Sequence, residues 1–131
     1  MSGIPHSLPF VWLDVFTDSP LEGNQLAVFT DARGLSKEQM QAIALETKLC
    51  ETTFIIPRDP EVEREKGVRV RIFTVDEELP FAGHPTLGTA TVVRGASGAD
   101  TITLDLDAGK IPVRFHDENG LAFGEMRQRD P

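Results

Sequence analysis

The chain has 131 residues, the length of one ordinary domain with a hydrophobic core of its own. Twenty-one acidic residues against 13 basic ones give a formal net charge of −8, and the basic residues are scattered along the sequence. This balance argues against nucleic acids and anionic membranes as partners. A single cysteine excludes an internal disulfide, and no apolar run approaches the roughly 20 residues of a membrane span. Because the single cysteine fits a reducing compartment and the first residues lack the order of a signal peptide, we expect a cytoplasmic protein.

The first third of the sequence predicts two strands and a helix. Residues 10–17 and 26–30 are rich in apolar and β-branched residues, and the turn residues between them favour a hairpin-like pair. Ser36 and Gln39 have the spacing of a capping box, so a helix should begin there and end near Leu49. Apolar residues recur at helical spacing in this segment, at Met40, Ile43 and Ala44. This helix should therefore lie amphipathically on the domain surface.

The rest of the chain predicts more strands and one buried helix. Strand patterns cover residues 52–56, 68–73, 101–106, 110–115 and 121–126. Residues 57–67 are interpreted as a charged loop without a function. The segment from Pro85 to Arg94 carries no charge before its last residue, which predicts a helix buried on several sides. Many short strands and one apolar helix indicate an α+β domain with a sheet wrapped around that helix.

The junction before this helix, residues 78–88, reads Glu-Leu-Pro-Phe-Ala-Gly-His-Pro-Thr-Leu-Gly. Pro85 suits the first helical position, which would make His84 the N-cap. The free N–H groups and the positive end of the helix dipole favour a carboxylate or phosphate there. His84 can add a hydrogen bond or a proton, although a purely structural cap is the competing interpretation.

Glu51 lies between the end of the first helix and a strand of apolar residues. Partial desolvation would raise the pKa of its carboxyl group, which suits a group that takes and gives a proton near neutral pH. Judged by the residues alone, a surface or capping carboxylate is the more common alternative.

Three further features have simple structural alternatives. Asn24 is either a turn residue or a ligand contact, and Cys50 is either a nucleophile or a small buried residue. The acidic run at residues 76–78 shows no metal-ligand spacing with any histidine, so we interpret it as a solvated face and expect no metal. The glycines match neither nucleotide-binding fingerprint, so we expect no cofactor.

Several ordered segments between about Phe10 and Met126 match one family pattern. They are Asp14-Val-Phe16, Pro20-Leu-Glu-Gly-Asn24, Glu51-Thr-Thr-Phe54, Val70-Arg-Ile-Phe-Thr74 and Glu78-Leu-Pro-Phe-Ala-Gly-His-Pro-Thr-Leu-Gly-Thr-Ala90. On these segments the chain resembles the N-terminal half of the PhzF-like isomerases of phenazine biosynthesis, which share the diaminopimelate epimerase fold. Two positions depart from the usual pattern, because Gln25 replaces a proline and Cys50 replaces a common serine.

The resemblance implies a mostly antiparallel sheet or barrel curled around a central helix, here residues 85–94, with the first helix as an additional amphipathic one. Residues 1–131 would form a single domain that corresponds to one half of a two-domain isomerase. Because the family's active site lies in the cleft between two similar domains, the resemblance also implies that activity needs a second domain or a second copy in a homodimer.

The resemblance further implies roles for particular residues. Glu51 would be the general acid/base that moves a proton on a small cyclic amino or hydroxy acid, without metal or organic cofactor. His84, Gly83 and Asn24 would bind the carboxylate-bearing substrate, together with Cys50 in the position of the serine. The expected function is a cofactor-independent isomerase or epimerase in a biosynthetic process. The alternative is a non-catalytic module of the same fold that binds a small anion or a partner.

Overall fold

The strands and helices of the computed structural model follow the apolar pattern of the sequence closely. The structure describes residues 8–15, 24–49, 51–95, 97–118 and 121–126. In these ranges the elements are β1 (Phe10–Val15), β2 (Asn24–Phe29), α1 (Lys37–Thr47), β3 (Glu51–Ile56), α2 (Pro60–Lys66), β4 (Val68–Phe73), β5 (Glu78–Leu79), α3 (Gly83–Arg94), β6 (Thr101–Leu106), β7 (Gly109–Glu118) and β8 (Leu121–Met126). Every strand and both helices predicted from the sequence are present.

One sheet contains all eight described strands. Seven follow the order β1-β2-β3-β4-β6-β7-β8, and the short β5 pairs with the end of β4. The pairs β2–β3 and β4–β6 are parallel and the others antiparallel, so the predicted pairing of β1 with β2 and the mostly antiparallel sheet are confirmed. The turn predicted between β1 and β2, from Asp18 to Asn24, lies outside the described residues except for Asn24, which begins β2.

The sheet curls around α3, which packs against β1, β2, β3, β6 and β8. The strands β1 and β8 stand at the two ends of the strand order and do not pair with each other in the described part of the chain. The sheet is therefore open and curled, and the barrel form of the prediction is wrong. None of the helices in the described ranges is long and apolar enough to cross a membrane.

The central strands are buried on both faces because α3 packs on one side of the sheet and α1 on the other. The core around α3 contains aliphatic residues, including Leu26, Val28, Ile55, Val70, Ile72, Ala90 and Leu104. The core under α1 combines aromatic rings in stacked and edge-to-face contact with helix residues, including Phe29, Phe54, Phe73, Met40 and Ala44. Strands covered on both faces have near-continuous apolar sequences, and this explains the run in β2.

The start of α1 confirms the predicted capping box. The Gln39 amide donates to Ser36 Oγ at 3.1 Å, and the Ser36 amide donates to Gln39 Oε1 at 2.8 Å. The helix ends at Thr47, slightly before the expected Leu49, because Lys48 adopts a left-handed conformation with φ 57°. Such a residue is a common helix terminator.

The predicted loop at residues 57–67 was wrong, because Pro60–Lys66 forms α2. Pro60 stands at the first helical position, Glu61 and Glu63 lie in the first turn, and Lys66 lies in the last turn. This charge order complements the helix dipole. None of the α2 residues is buried. The segment therefore has no apolar periodicity from which a helix could be predicted.

The connection from α2 to β4 requires glycine at position 67. Gly67 has φ +94°, and a Cβ atom there would lie 2.7 Å from the carbonyl oxygen of Thr103 on β6. A side chain would therefore meet both backbone strain and a rigid neighbour.

We predict that Gly67→Ala lowers the free energy of unfolding by about 2–3 kcal/mol, because strain and steric overlap add. Gly34→Ala is the matched control, since Gly34 has φ +85° with open space around it, and it should cost only about 1 kcal/mol. Urea unfolding of both variants measures the difference. Equal losses would show that the contact with Thr103 has no energetic consequence.

Candidate active site

The first turn of α3 begins earlier in the sequence than expected. Ala82 is the N-cap and Gly83 the first helical residue, so the prediction of His84 as N-cap and Pro85 as first residue was wrong. Both the amide and the hydroxyl of Thr86 donate to the Ala82 carbonyl, at 3.2 Å and 2.6 Å. These bonds close the turn at Ala82. Pro85 is then the third helical residue, where an N–H would still lack a partner inside the helix.

The features that favour an anion at this junction are also present with the helix starting at Gly83. The amides of Gly83 and His84 belong to the first turn of α3, where backbone N–H groups have no acceptor within the helix. The first turn carries no acidic side chain, so nothing within the turn neutralises the positive end of the helix dipole. His84 is half-buried beside these amides. The site is therefore suited to a small carboxylate.

Glu51 and His84 come together at this helix start. Glu51 is the first residue of β3 and is half-buried. Burial raises the pKa of the Glu51 carboxyl above its ordinary value of 4.5, and the nearby charge of His84 acts in the opposite direction. A half-buried carboxyl group beside an imidazole can accept a proton and release it again.

The geometry of β3 explains why Glu51 lies next to α3. Glu51 is in register with Leu26 of β2, which belongs to the core around α3. Two residues further along β3, the hydroxyl of Thr53 is 2.8 Å from that of Thr89 on α3. Because side chains alternate along a strand, Glu51 and Thr53 share the face that packs on this helix.

Of two further predicted substrate-binding residues, the structure describes the backbone of Asn24 and nothing of Cys50. Asn24 is the first residue of β2, and its backbone lies two positions before Leu26, the register partner of Glu51. The backbone of Asn24 is thus at the same end of the sheet as Glu51. The side chain of Asn24 and the whole of Cys50 lie outside the described residues, so their roles stay predictions.

The acidic run before α3 was interpreted as a solvated face, and this was wrong for Glu78. Asp76 and Glu77 are exposed, but the Glu78 side chain is only 9% exposed. It accepts two hydrogen bonds from Arg71, from Nε at 2.7 Å and from Nη2 at 2.8 Å. Such two-pronged pairs are among the stronger polar contacts in proteins.

Arg71 is a residue that the sequence reasoning missed as a support of the site. The ion pair holds β5 on β4, and the Ala108 amide donates to the Pro80 carbonyl at 3.1 Å. Together these contacts hold the segment from Glu78 to Ala82 that leads into α3. The sequence feature that could have indicated this ion pair is an arginine on a strand followed, after a short turn, by a glutamate.

Comparison with known proteins identifies a family. The family model described as "Phenazine biosynthesis-like protein" matches residues 13–131. A trans-2,3-dihydro-3-hydroxyanthranilate isomerase of Pseudomonas aeruginosa is 40% identical over 123 residues, which cover 93% of this chain and 43% of that protein. An uncharacterised isomerase of Mesorhizobium japonicum is 44% identical over 120 residues, which cover 89% of this chain and 39% of that protein. The family resemblance found in the motifs is confirmed.

Solved structures support the predicted fold. A PhzF-family phenazine biosynthesis protein of Bacillus anthracis matches with a TM-score of 0.77 and 32% identity, over 92% of this chain and 40% of that one. A hydroxyproline epimerase of Agrobacterium vitis matches with a TM-score of 0.58 and 11% identity, over 85% of this chain and 38% of that one, which shows a common fold alone. The chain spans about 40% of the length of these proteins.

We predict that Glu51→Gln changes how stability depends on pH. Because the folded-state pKa is raised, the wild type is most stable with Glu51 protonated and loses stability as pH rises through that pKa, upward from 4.5. The glutamine cannot ionise. The variant should therefore match the wild type near about pH 4 and gain relative stability toward about pH 7, modestly because the site is partly exposed.

Urea unfolding at the two pH values measures this difference, with Glu46→Gln, an exposed glutamate on α1, as the control. A Glu51→Gln variant that lost relative stability toward neutral pH would contradict the assigned desolvation.

Proposed function

This chain belongs to the family of phenazine biosynthesis-like proteins, and we propose that it forms one half of a cofactor-independent isomerase or epimerase. The observation that carries the proposal is the position of Glu51 near His84 at the start of α3, where burial raises the pKa of the Glu51 carboxyl group. The isomerase names of its relatives support the same reaction class.

The proposed substrate is a small cyclic amino or hydroxy acid with a carboxylate. The amides of Gly83 and His84 and the helix dipole bind the carboxylate, which leaves the ring next to Glu51. Glu51 in its ionised form takes a proton from a substrate carbon, and the electrons of the broken C–H bond remain on the substrate. The protonated Glu51 then returns the proton to another atom on the same face of the ring, whereas protonation of the opposite face needs an acid from the second domain or second copy. The raised pKa makes Glu51 a stronger base than an ordinary carboxylate.

The remaining predicted residues take supporting roles in this proposal. His84 binds the substrate or relays a proton, and Asn24 and Cys50 contact the substrate from neighbouring positions. The role in a biosynthetic process follows the description of the family, and the cytoplasmic location expected from the cysteine content is part of the same proposal.

We propose that a second domain or a second copy of the chain completes the pocket. The chain has about 40% of the length of its relatives, and the described site forms a single wall. Apolar side chains on β1 also favour association, because Phe10, Val11 and Trp12 are 54%, 40% and 50% exposed.

We predict that Glu51→Gln lowers proton exchange at the substrate by at least about 100-fold, the usual contribution of a general acid/base. The measurement follows deuterium incorporation by NMR in the assembled protein, with trans-2,3-dihydro-3-hydroxyanthranilate as the probe because the Pseudomonas aeruginosa relative is named for it. Glu46→Gln, on the helix at the opposite face of the sheet, should retain wild-type exchange. Undiminished exchange in Glu51→Gln would refute the role of Glu51.

A second candidate function is a non-catalytic module that binds small anions. The uncompensated first turn of α3 favours it, because such a site binds carboxylates without any proton transfer. In this case an aromatic carboxylate shifts the NMR signals of the Gly83, His84 and Thr86 amides, while the assembled protein shows no exchange. Amide signals that do not shift would contradict both candidate functions.

The homodimer is tested separately by sedimentation at high protein concentration. A strictly monomeric chain would contradict it.

A further inference from the structure

A buried hydrogen bond connects the strand of Glu51 to the helix of His84. The hydroxyls of Thr53 on β3 and Thr89 on α3 are 2.8 Å apart, and both residues are fully buried. The surrounding contacts between α3 and the sheet are apolar. Apolar packing has no preferred direction, whereas a hydrogen bond weakens steeply when its distance or angle changes. This bond therefore defines how far α3 can slide along β3.

Thr89 differs from the other threonines of α3 in the partner of its hydroxyl. Thr86 donates to the carbonyl of Ala82 at 2.6 Å, and Thr91 donates to that of Leu87 at 2.9 Å. Both are the local bonds that helical threonines usually form with the residue four positions earlier. Thr89 bonds across to the sheet instead, so its hydroxyl contributes to the placement of the whole helix.

From this arrangement we infer that Thr53 and Thr89 are positioning residues whose hydrogen bond sets the separation between the Glu51 carboxyl and the His84 imidazole. Thr53 lies two residues after Glu51 on the same face of β3, and Thr89 lies on the helix whose first turn contains His84. The consequence for catalysis rests on the proposed function. The positioning itself is a property of this chain and is measurable without turnover.

The chain contains a matched control on the other face of the same strand. Thr52 is also fully buried, and its hydroxyl lies 2.9 Å from that of Thr47 at the end of α1. Thr52→Val and Thr53→Val therefore each remove one hydrogen bond between a threonine of β3 and a threonine outside it. Only the bond of Thr53 involves the helix that carries His84.

The test measures the coupling between Glu51 and His84 by NMR titration of the Glu51 carboxyl. His84→Gln should raise the pKa of Glu51, because the charge of His84 lowers it. In a Thr53→Val or Thr89→Val background, the shift caused by His84→Gln should shrink by roughly half or more, as for contacts whose partners have separated. In Thr52→Val the full shift should persist, and Thr53→Ser should restore it because serine keeps the hydroxyl.

The melting temperatures of the variants distinguish a positioning role of Thr53 and Thr89 from a general loosening of the core. In Thr53→Val, the Thr89 hydroxyl can turn to the carbonyl of Pro85, as Thr86 and Thr91 do with their own local carbonyls. In Thr89→Val, the buried Thr53 hydroxyl loses its partner, so the melting temperature should fall further. The two variants should nevertheless lose similar coupling. Full coupling in both variants, or an equal loss in Thr52→Val, would overturn the inference.

Activity provides an independent readout. In the assembled protein, Thr53→Val should lower the exchange rate about tenfold through misplacement of the two groups, and Thr52→Val should leave it unchanged. If Glu51→Gln retained exchange while the coupling followed the expected pattern, the proposed function would fail and the positioning role would stand. A Thr53→Val chain with lost coupling but wild-type exchange would show that this separation has no effect on the reaction.

Discussion

The burial of α3 inside the curled sheet is the constraint on which the other features depend. After His84 this helix carries no charged residue before Arg94, and its small residues Gly88 and Ala90 are buried. Burying apolar surface on several sides of one helix requires strands from both ends of the sheet order, so the sheet has to curl. The first turn of α3 then lies beside the start of β3, where Glu51 is found.

The proposed chemistry of the site depends on the incomplete burial of Glu51. A fully exposed Glu51 would keep an ordinary pKa, and a fully buried one would be unable to reach a substrate. Its position at the first residue of β3 leaves it half-buried, with His84 near enough to moderate the effect of desolvation. The amides at the start of α3 add donors without a competing acidic side chain in the first turn. In the proposed function, proton transfer and anion binding therefore share one small region.

Directional polar contacts supply the accuracy that apolar packing lacks. The pair of Arg71 and Glu78 holds β5 on β4, and the pair of Thr53 and Thr89 holds α3 on β3. One member of each pair lies close in sequence to a group at the site. Glu78 lies close to His84, and Thr53 lies close to Glu51. In the proposed function the described residues form one wall of a pocket, in a chain that spans about 40% of the length of its relatives.

Local patterns in the sequence determined most of the strands, the capping box at Ser36 and the apolar character of α3, because each depends on neighbouring residues. The same patterns missed α2, which has no buried face, and placed the start of α3 at His84, because the bonds from Thr86 to Ala82 have no apolar signature. They identified Glu51 and His84 as separate candidates but left the structural alternative open for each. Only the tertiary structure brought the two groups together and paired Arg71 with Glu78. Such contacts depend on strand order, register and helix placement, which arise from packing between segments distant in the chain.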